Sequence, residues 1–134
     1  MDDRLIRFDV KTNKSGSLVP LESLKNIPFD IKRVFYIYGV DPEKKRGQHT
    51  QKTLKEVVVC LRGKCKIRLE DATGEKTFEL DRPDTGLYIG PMVWREMSDF
   101  SSDCILLAVA DQLYDEKDYV RDYQEYRKVA GLHG

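Results

Sequence analysis

Cysteine, histidine and tryptophan are scarce in this 134-residue chain, with three, two and one copies. The cysteines, Cys60, Cys65 and Cys104, are too few and too irregularly spaced for a disulfide framework, and no CxxC pair occurs. Net charge is missing as well. The 23 basic residues match 23 acidic ones, which removes the cationic footprint of a nucleic-acid binder and the polybasic arm of a membrane-surface protein. No apolar run approaches the roughly 20 residues that span a bilayer. The opening Met1-Asp2-Asp3-Arg4 is acidic and has no apolar segment behind it, so no secretory signal is expected. Low-complexity tracts, Gly/Ser linkers and internal repeats are absent too. With 40% hydrophobic residues, the expectation is one cytoplasmic, soluble domain over residues 1–134, long enough for a single core.

What is present is mostly strand. Arg33–Val40 is β-branched and aromatic, and Glu56–Leu61 is a second such run closed by the turn Arg62-Gly63-Lys64. Lys66–Glu70 alternates apolar and polar residues with period two, the pattern of a half-buried strand. Asp71-Ala72-Thr73-Gly74 then predicts a hairpin turn into Glu75–Leu80. Further strands are expected at Leu87–Pro91, Val93–Met97 and Cys104–Ala110. Short strands at this spacing, separated by glycine and proline, predict an all-β sandwich or small barrel. Helix is expected only over Asp115–Lys128, where Tyr119, Tyr123 and Tyr126 follow helical spacing and would pack against the barrel.

Candidate chemistry centres on His49, because His133 is the penultimate residue and belongs to a frayed tail. The series His49-x-Gln51-x4-Glu56-x6-Gly63 resembles the first cupin motif, whose side chains converge inside a jelly-roll barrel, often on a metal. A metal needs three or four convergent donors. Only His49 and Glu56 qualify, and Arg95 stands where a second motif would supply another histidine, so no metal and no cofactor are expected.

Longer blocks carry a closer likeness. Ile27–Tyr36, Arg46-Gly47-Gln48-His49, Gly86–Met97, Asp99–Cys104 and Tyr114–Tyr123 together resemble the sugar-nucleotide 3,4-ketoisomerases, in family order and over most of the chain. The resemblance implies a cupin jelly roll with a short C-terminal helix, acting as a homodimer on dTDP-4-keto-6-deoxyglucose. It implies a ketone moved from sugar C4 to C3 through an enediol. One acid/base pair and a polar group steadying the enediol oxygens suffice for that step, and imidazole is a natural base near neutral pH. A dTDP-sugar epimerase and a non-catalytic dTDP-sugar binder are the rival readings.

Three positions depart from the family pattern. Gln51 stands where the resemblance implies a second histidine, and Glu56 where it implies glutamine, as though amide and ionisable group had exchanged places. Glu56 is therefore expected to orient His49 or to carry the second proton. Ser15 replaces a large residue expected beside the sugar. Arg33, Arg46, Lys52, Arg95 and Arg121 are candidate diphosphate ligands. Tyr36, Tyr38, Tyr88 and Trp94 are candidates for stacking on thymine or sugar, with barrel packing as the competing role. The cysteines lie in or beside apolar strands and are expected to behave as small hydrophobes.

Overall fold

The computed structural model describes residues 4–131, so His133 lies outside the described residues. In chain order the strands are β1 (Leu5–Arg7), β2 (Lys11–Asn13), β3 (Gly16–Leu18), β4 (Arg33–Tyr38), β5 (Arg46–Gln51) and β6 (Glu56–Arg62). They continue as β7 (Cys65–Asp71), β8 (Gly74–Leu80), β9 (Thr85–Ile89), β10 (Trp94–Ser98), β11 (Ile105–Ala110) and β12 (Tyr119–Val120), followed by helix α1 (Tyr123–Val129). One five-stranded sheet has the order β1-β9-β6-β11-β4 and the other β12-β5-β10-β7-β8. These non-sequential neighbours wrap the chain into a jelly roll of the cupin kind, all-β with a short C-terminal helix. Among the described residues, strands β2 and β3 pair only with each other. No helix among the described residues is long and apolar enough to cross a membrane.

Strand β6 shows how sequence becomes architecture. Side chains alternate faces along a strand, so Val58 and Cys60 enter the core between the sheets with Leu69, Leu87 and Leu106. Val57 and Val59 point the other way, into a second cluster with Phe8, Ile27, Phe29 and Val109. Apolar residues on both faces explain why Val57–Cys60 is a continuous hydrophobic run rather than an alternating one. The hairpin expected at Asp71–Gly74 forms, with Asp71 paired to Gly74 and its carboxylate accepting from the Thr73 amide at 2.8 Å.

The C-terminal segment departs from the continuous helix expected over Asp115–Lys128. Asp115 caps a single 3-10 turn, Glu116–Asp118. Tyr119 and Val120 then pair with Gln51 and Thr50 as a strand, and α1 starts only after Asp122, whose carboxylate accepts from the Glu125 amide. Aspartate at Ncap satisfies orphan amides at a helix start, so two such residues seven apart divide a segment that tyrosine spacing alone would join. Tyr119 consequently sits on β12, while Tyr123 and Tyr126 share α1. Tyr126 is buried against Trp94 at 5.4 Å between ring centroids, its hydroxyl 2.9 Å from the Glu70 carbonyl and 3.0 Å from that of Met92. Trp94 is thus a docking surface for the helix rather than a stacking platform for thymine or sugar.

Candidate active site

At one end the two sheets part around a cleft of about 350 Å³, lined from β4, β5, β6, β10 and the 114–121 segment. Its geometry begins with an irregularity in β5. Arg95 pairs with His49 and Met97 with Arg46, so β5 carries one residue more than β10 between these pairs, a β-bulge. Gly47 and Gln48 absorb it with φ of 86° and 37°. Glycine suits position 47 for a second reason, since a Cβ there would lie 3.3 Å from Arg95 Cγ.

The bulge brings the Gly47 carbonyl onto the imidazole of its neighbour two residues on, and His49 Nδ1 bonds to it. A carbonyl only accepts, so Nδ1 carries the hydrogen and Nε2 keeps the lone pair. The ring stacks obliquely on Tyr119, with centroids 4.8 Å apart. Burial, and next the positive charge of Arg95, hold the His49 pKa down at about 4, against the opposing bond to Gly47. The side chain is therefore a neutral base at physiological pH, with its basic nitrogen defined by the backbone.

Glu56 and Arg95 form the floor. Glu56 opens β6 on the interior face, 3% exposed, and Arg95 reaches it from the opposite sheet with no exposure at all. Arg95 Nη1 donates to the Glu56 carboxylate and Nη2 to the Val93 carbonyl at 3.2 Å. Burial pulls the Arg95 pKa downward, and the Glu56 charge opposes that pull. The hydrogen-bond partner of Glu56 is therefore Arg95 rather than His49. Gln51 is buried as well, and its Oε1 has no hydrogen-bond partner among the described residues.

The rim is cationic. Arg33, Arg46 and Arg121 line the cleft together with Tyr36 and Tyr114. Arg33 lies over the Phe35 ring at 4.5 Å, and neither Arg33 nor Arg46 forms an ion pair among the described residues. Arg121 is already held by Glu116, at 2.8 and 2.9 Å, and lies over Tyr119 at 4.4 Å. Lys52 is outside the lining, with Nζ 3.4 Å from the Lys117 carbonyl. Ser15 is also outside it, at the tip of the β2–β3 hairpin. Tyr38 stacks on Tyr36 at 6.2 Å on the exposed face of β4, and Tyr88 packs with the Phe8 cluster.

Sequence reasoning placed His49, Gln51, Glu56, Arg33, Tyr36, Arg46, Lys52, Arg95 and Arg121 at the site, and all of them but Lys52 line the cleft. It missed Tyr119 and Tyr114. Their signal was the Tyr114–Tyr123 block, overshadowed by the helical spacing of its tyrosines. The donor set does not fit a metal ion: it offers one imidazole and one carboxylate already paired to a buried guanidinium.

Residues 1–131 match the family described as FdtA: WxcM-like, C-terminal. The chain is 47% identical over 128 residues to a TDP-4-oxo-6-deoxy-alpha-D-glucose-3,4-oxoisomerase of Aneurinibacillus thermoaerophilus, covering 96% of this chain and 92% of that protein. It is also similar to the crystal structure of a histidine-to-asparagine mutant of the 3,4-ketoisomerase QdtA from Thermoanaerobacterium thermosaccharolyticum, in complex with TDP-4-keto-6-deoxyglucose. That match has 50% identity and a TM-score of 0.91, over 94% of this chain and 91% of that one. A 3,4-ketoisomerase from Helicobacter canadensis matches at 43% identity and a TM-score of 0.92, over 95% and 96% of the two chains. With its jelly roll, its half-buried imidazole in the cleft and its arginine-lined rim, this chain belongs to the FdtA, WxcM-like family.

Proposed function

We propose that this protein is a sugar-nucleotide 3,4-ketoisomerase that takes a dTDP-linked 4-keto-6-deoxyhexose and moves its ketone to C3. The observation that carries the proposal is the neutral His49, hooked to Gly47 through Nδ1 and keeping its lone pair on Nε2, in a cleft rimmed by Arg33 and Arg46. In this reading the arginines receive the diphosphate and the sugar enters above the Glu56–Arg95 floor.

The chemistry is a proton shuttle. His49 Nε2 removes the C3 proton, and the electron pair moves through C3–C4 onto the carbonyl oxygen, giving an enediolate. The C3 hydroxyl proton passes to the C4 oxygen and a proton returns to C4, leaving a ketone at C3 and a hydroxyl at C4. Positioned acid/base catalysis of this kind contributes roughly 10²–10⁴-fold. Gln51 cannot exchange a proton, but its unpaired Oε1 suits a sugar hydroxyl donor. Glu56 acts through Arg95, holding that guanidinium in the floor beneath the developing oxyanion. The proposal includes a single domain over 1–134 and a cytoplasmic homodimer. Pairing is supported by edge strand β4, where Val34, Tyr36 and Tyr38 are 59, 64 and 70% exposed.

The test is incubation with dTDP-4-keto-6-deoxyglucose in D2O, followed by proton NMR. Loss of the C3 proton with a growing 3-ketosugar is expected, and the C4 coupling would then report the gluco or galacto product. Binding of dTDP without any exchange would overturn the proposal in favour of a binding module. Exchange at C5 with the ketone unmoved would overturn it in favour of an epimerase.

A further inference from the structure

The cysteines, expected to be separate small hydrophobes, converge. Cys60 comes from β6, Cys65 from β7 and Cys104 from the residue entering β11. Their sulfur atoms all lie within 4.8 Å of one another, and those of Cys60 and Cys104 are 3.7 Å apart. Metal–thiolate bonds of about 2.3 Å place the sulfurs of a three-coordinate site about 4 Å apart, so the spacing needs only small adjustment. Among the described residues no histidine or carboxylate joins the group, and an all-sulfur donor set selects soft ions.

The backbone around the group is clamped. Lys64 N donates to Ser101 Oγ at 2.9 Å, Ser101 N donates to the Lys64 carbonyl at 2.9 Å, and Ser101 Oγ donates to Asp103 at 2.8 Å. Gly63, at φ +70°, makes this closeness possible, because a Cβ there would meet Ser101 Oγ at 2.2 Å. The thiols are 0, 1 and 3% exposed, yet they lie just under the surface. Cys65 lines a groove with Lys64, Lys66 and Asp99, and Cys104 lines a hollow on another side with Arg62. The neighbours inside are apolar, Leu80, Phe100 and Leu106 among them. Cysteine ligates a metal as thiolate, so each thiol that binds the ion releases its proton to solvent, and Cys60 gives up the S–H bond it donates to the Arg62 carbonyl at 3.2 Å.

We infer that Cys60, Cys65 and Cys104 form a three-coordinate site for a soft monovalent cation, copper(I) by its chemistry, about 13 Å along β6 from the Glu56 floor. The test is anaerobic titration of the reduced full chain with copper(I) against a coloured copper(I) chelator, with near-ultraviolet thiolate-to-copper absorption as a second readout. One ion per chain is expected. Replacement of Cys60, Cys65 or Cys104 by serine, one at a time, removes a ligand and should weaken binding by more than the roughly 10–100-fold that a change outside the ligand set costs. Should a variant fail to fold, alkylation of the wild-type thiols followed by mass spectrometry is the alternative, with copper(I) expected to protect all three together. No copper retained against the chelator, an undiminished stoichiometry in all three variants, or alkylation unaffected by copper(I) would overturn the site.

Discussion

The two ends of the barrel interior are built by the same strand and have opposite characters. At one end β6 contributes Glu56, tied to Arg95 under a cleft lined by His49 and Gln51. Four residues on it contributes Cys60, among sulfur and hydrocarbon. Between them only Val58 faces inward. The fold therefore needs no separate module for its active site. One end of an ordinary hydrophobic core is made polar, and each polar group there must find a partner, because buried unpaired groups are costly. Glu56 and Arg95 have each other and His49 has Gly47, while Gln51 Oε1 and Arg95 Nε are buried without a partner among the described residues.

The sharpest way to separate the ends is at His49. His49→Asn should lower deuterium incorporation at C3 by roughly 10²–10⁴-fold while dTDP still binds, as measured by NMR and calorimetry. Next comes the floor. Glu56→Gln leaves a buried guanidinium uncompensated, which should cost about 3–5 kcal/mol in urea unfolding. Glu56→Gln combined with Arg95→Met should recover much of that stability and none of the lost turnover. At the other end Leu80→Ala, from a side chain 2% exposed, should cost about 2–5 kcal/mol and leave kcat unchanged below its melting temperature. A loss of kcat there would break the division between the ends.

A smaller effect is expected at the rim. Arg121 and Glu116 are both about half exposed, so Arg121→Ala should change Tm little while raising the KM for substrate severalfold. The pH profile is the mildest probe. The His49 pKa is lowered from 6.5 to about 4, so the native state binds fewer protons than the unfolded chain between these values. Its contribution to stability is complete above pH 6.5 and is lost as the pH falls toward 4. The rate of C3 exchange should accordingly stay level below pH 6.5, with its acid limb near pH 4 rather than at the ordinary imidazole value.

Much of the architecture was legible because β6, β7 and β11 are strongly patterned, and β7 alternates as a half-buried strand must. Strand β5 was not. Arg46-Gly47-Gln48-His49-Thr50-Gln51 has no apolar residue, and its extended form comes from pairing with β10 and β12. The same limit hid Tyr119. Three tyrosines at helical spacing encode a helix only if nothing interrupts it, and the Asp122 cap together with pairing to β5 interrupts this one. Residues lining the cleft were recoverable because most fall in blocks with a family likeness, and Gln51 and Glu56 follow from the spacing after His49. Their partners were not, since the Glu56–Arg95 tie spans two sheets and 39 residues of sequence.

That tie also sets the direction of the electric field in the cleft. A carboxylate and a guanidinium in contact cancel at the floor, while Arg33 and Arg46 keep their charge at the mouth. A diphosphate is therefore drawn first to the opening, where the charge is uncompensated, and what remains of the Arg95 field at the floor acts on His49 and on charge that develops beside it. The ligand's uncharged part is the end that can descend toward His49. A sugar nucleotide entering such a gradient is oriented before it makes any specific contact, with diphosphate outward and hexose inward, and raising the ionic strength should weaken its capture without altering the pose it finally adopts.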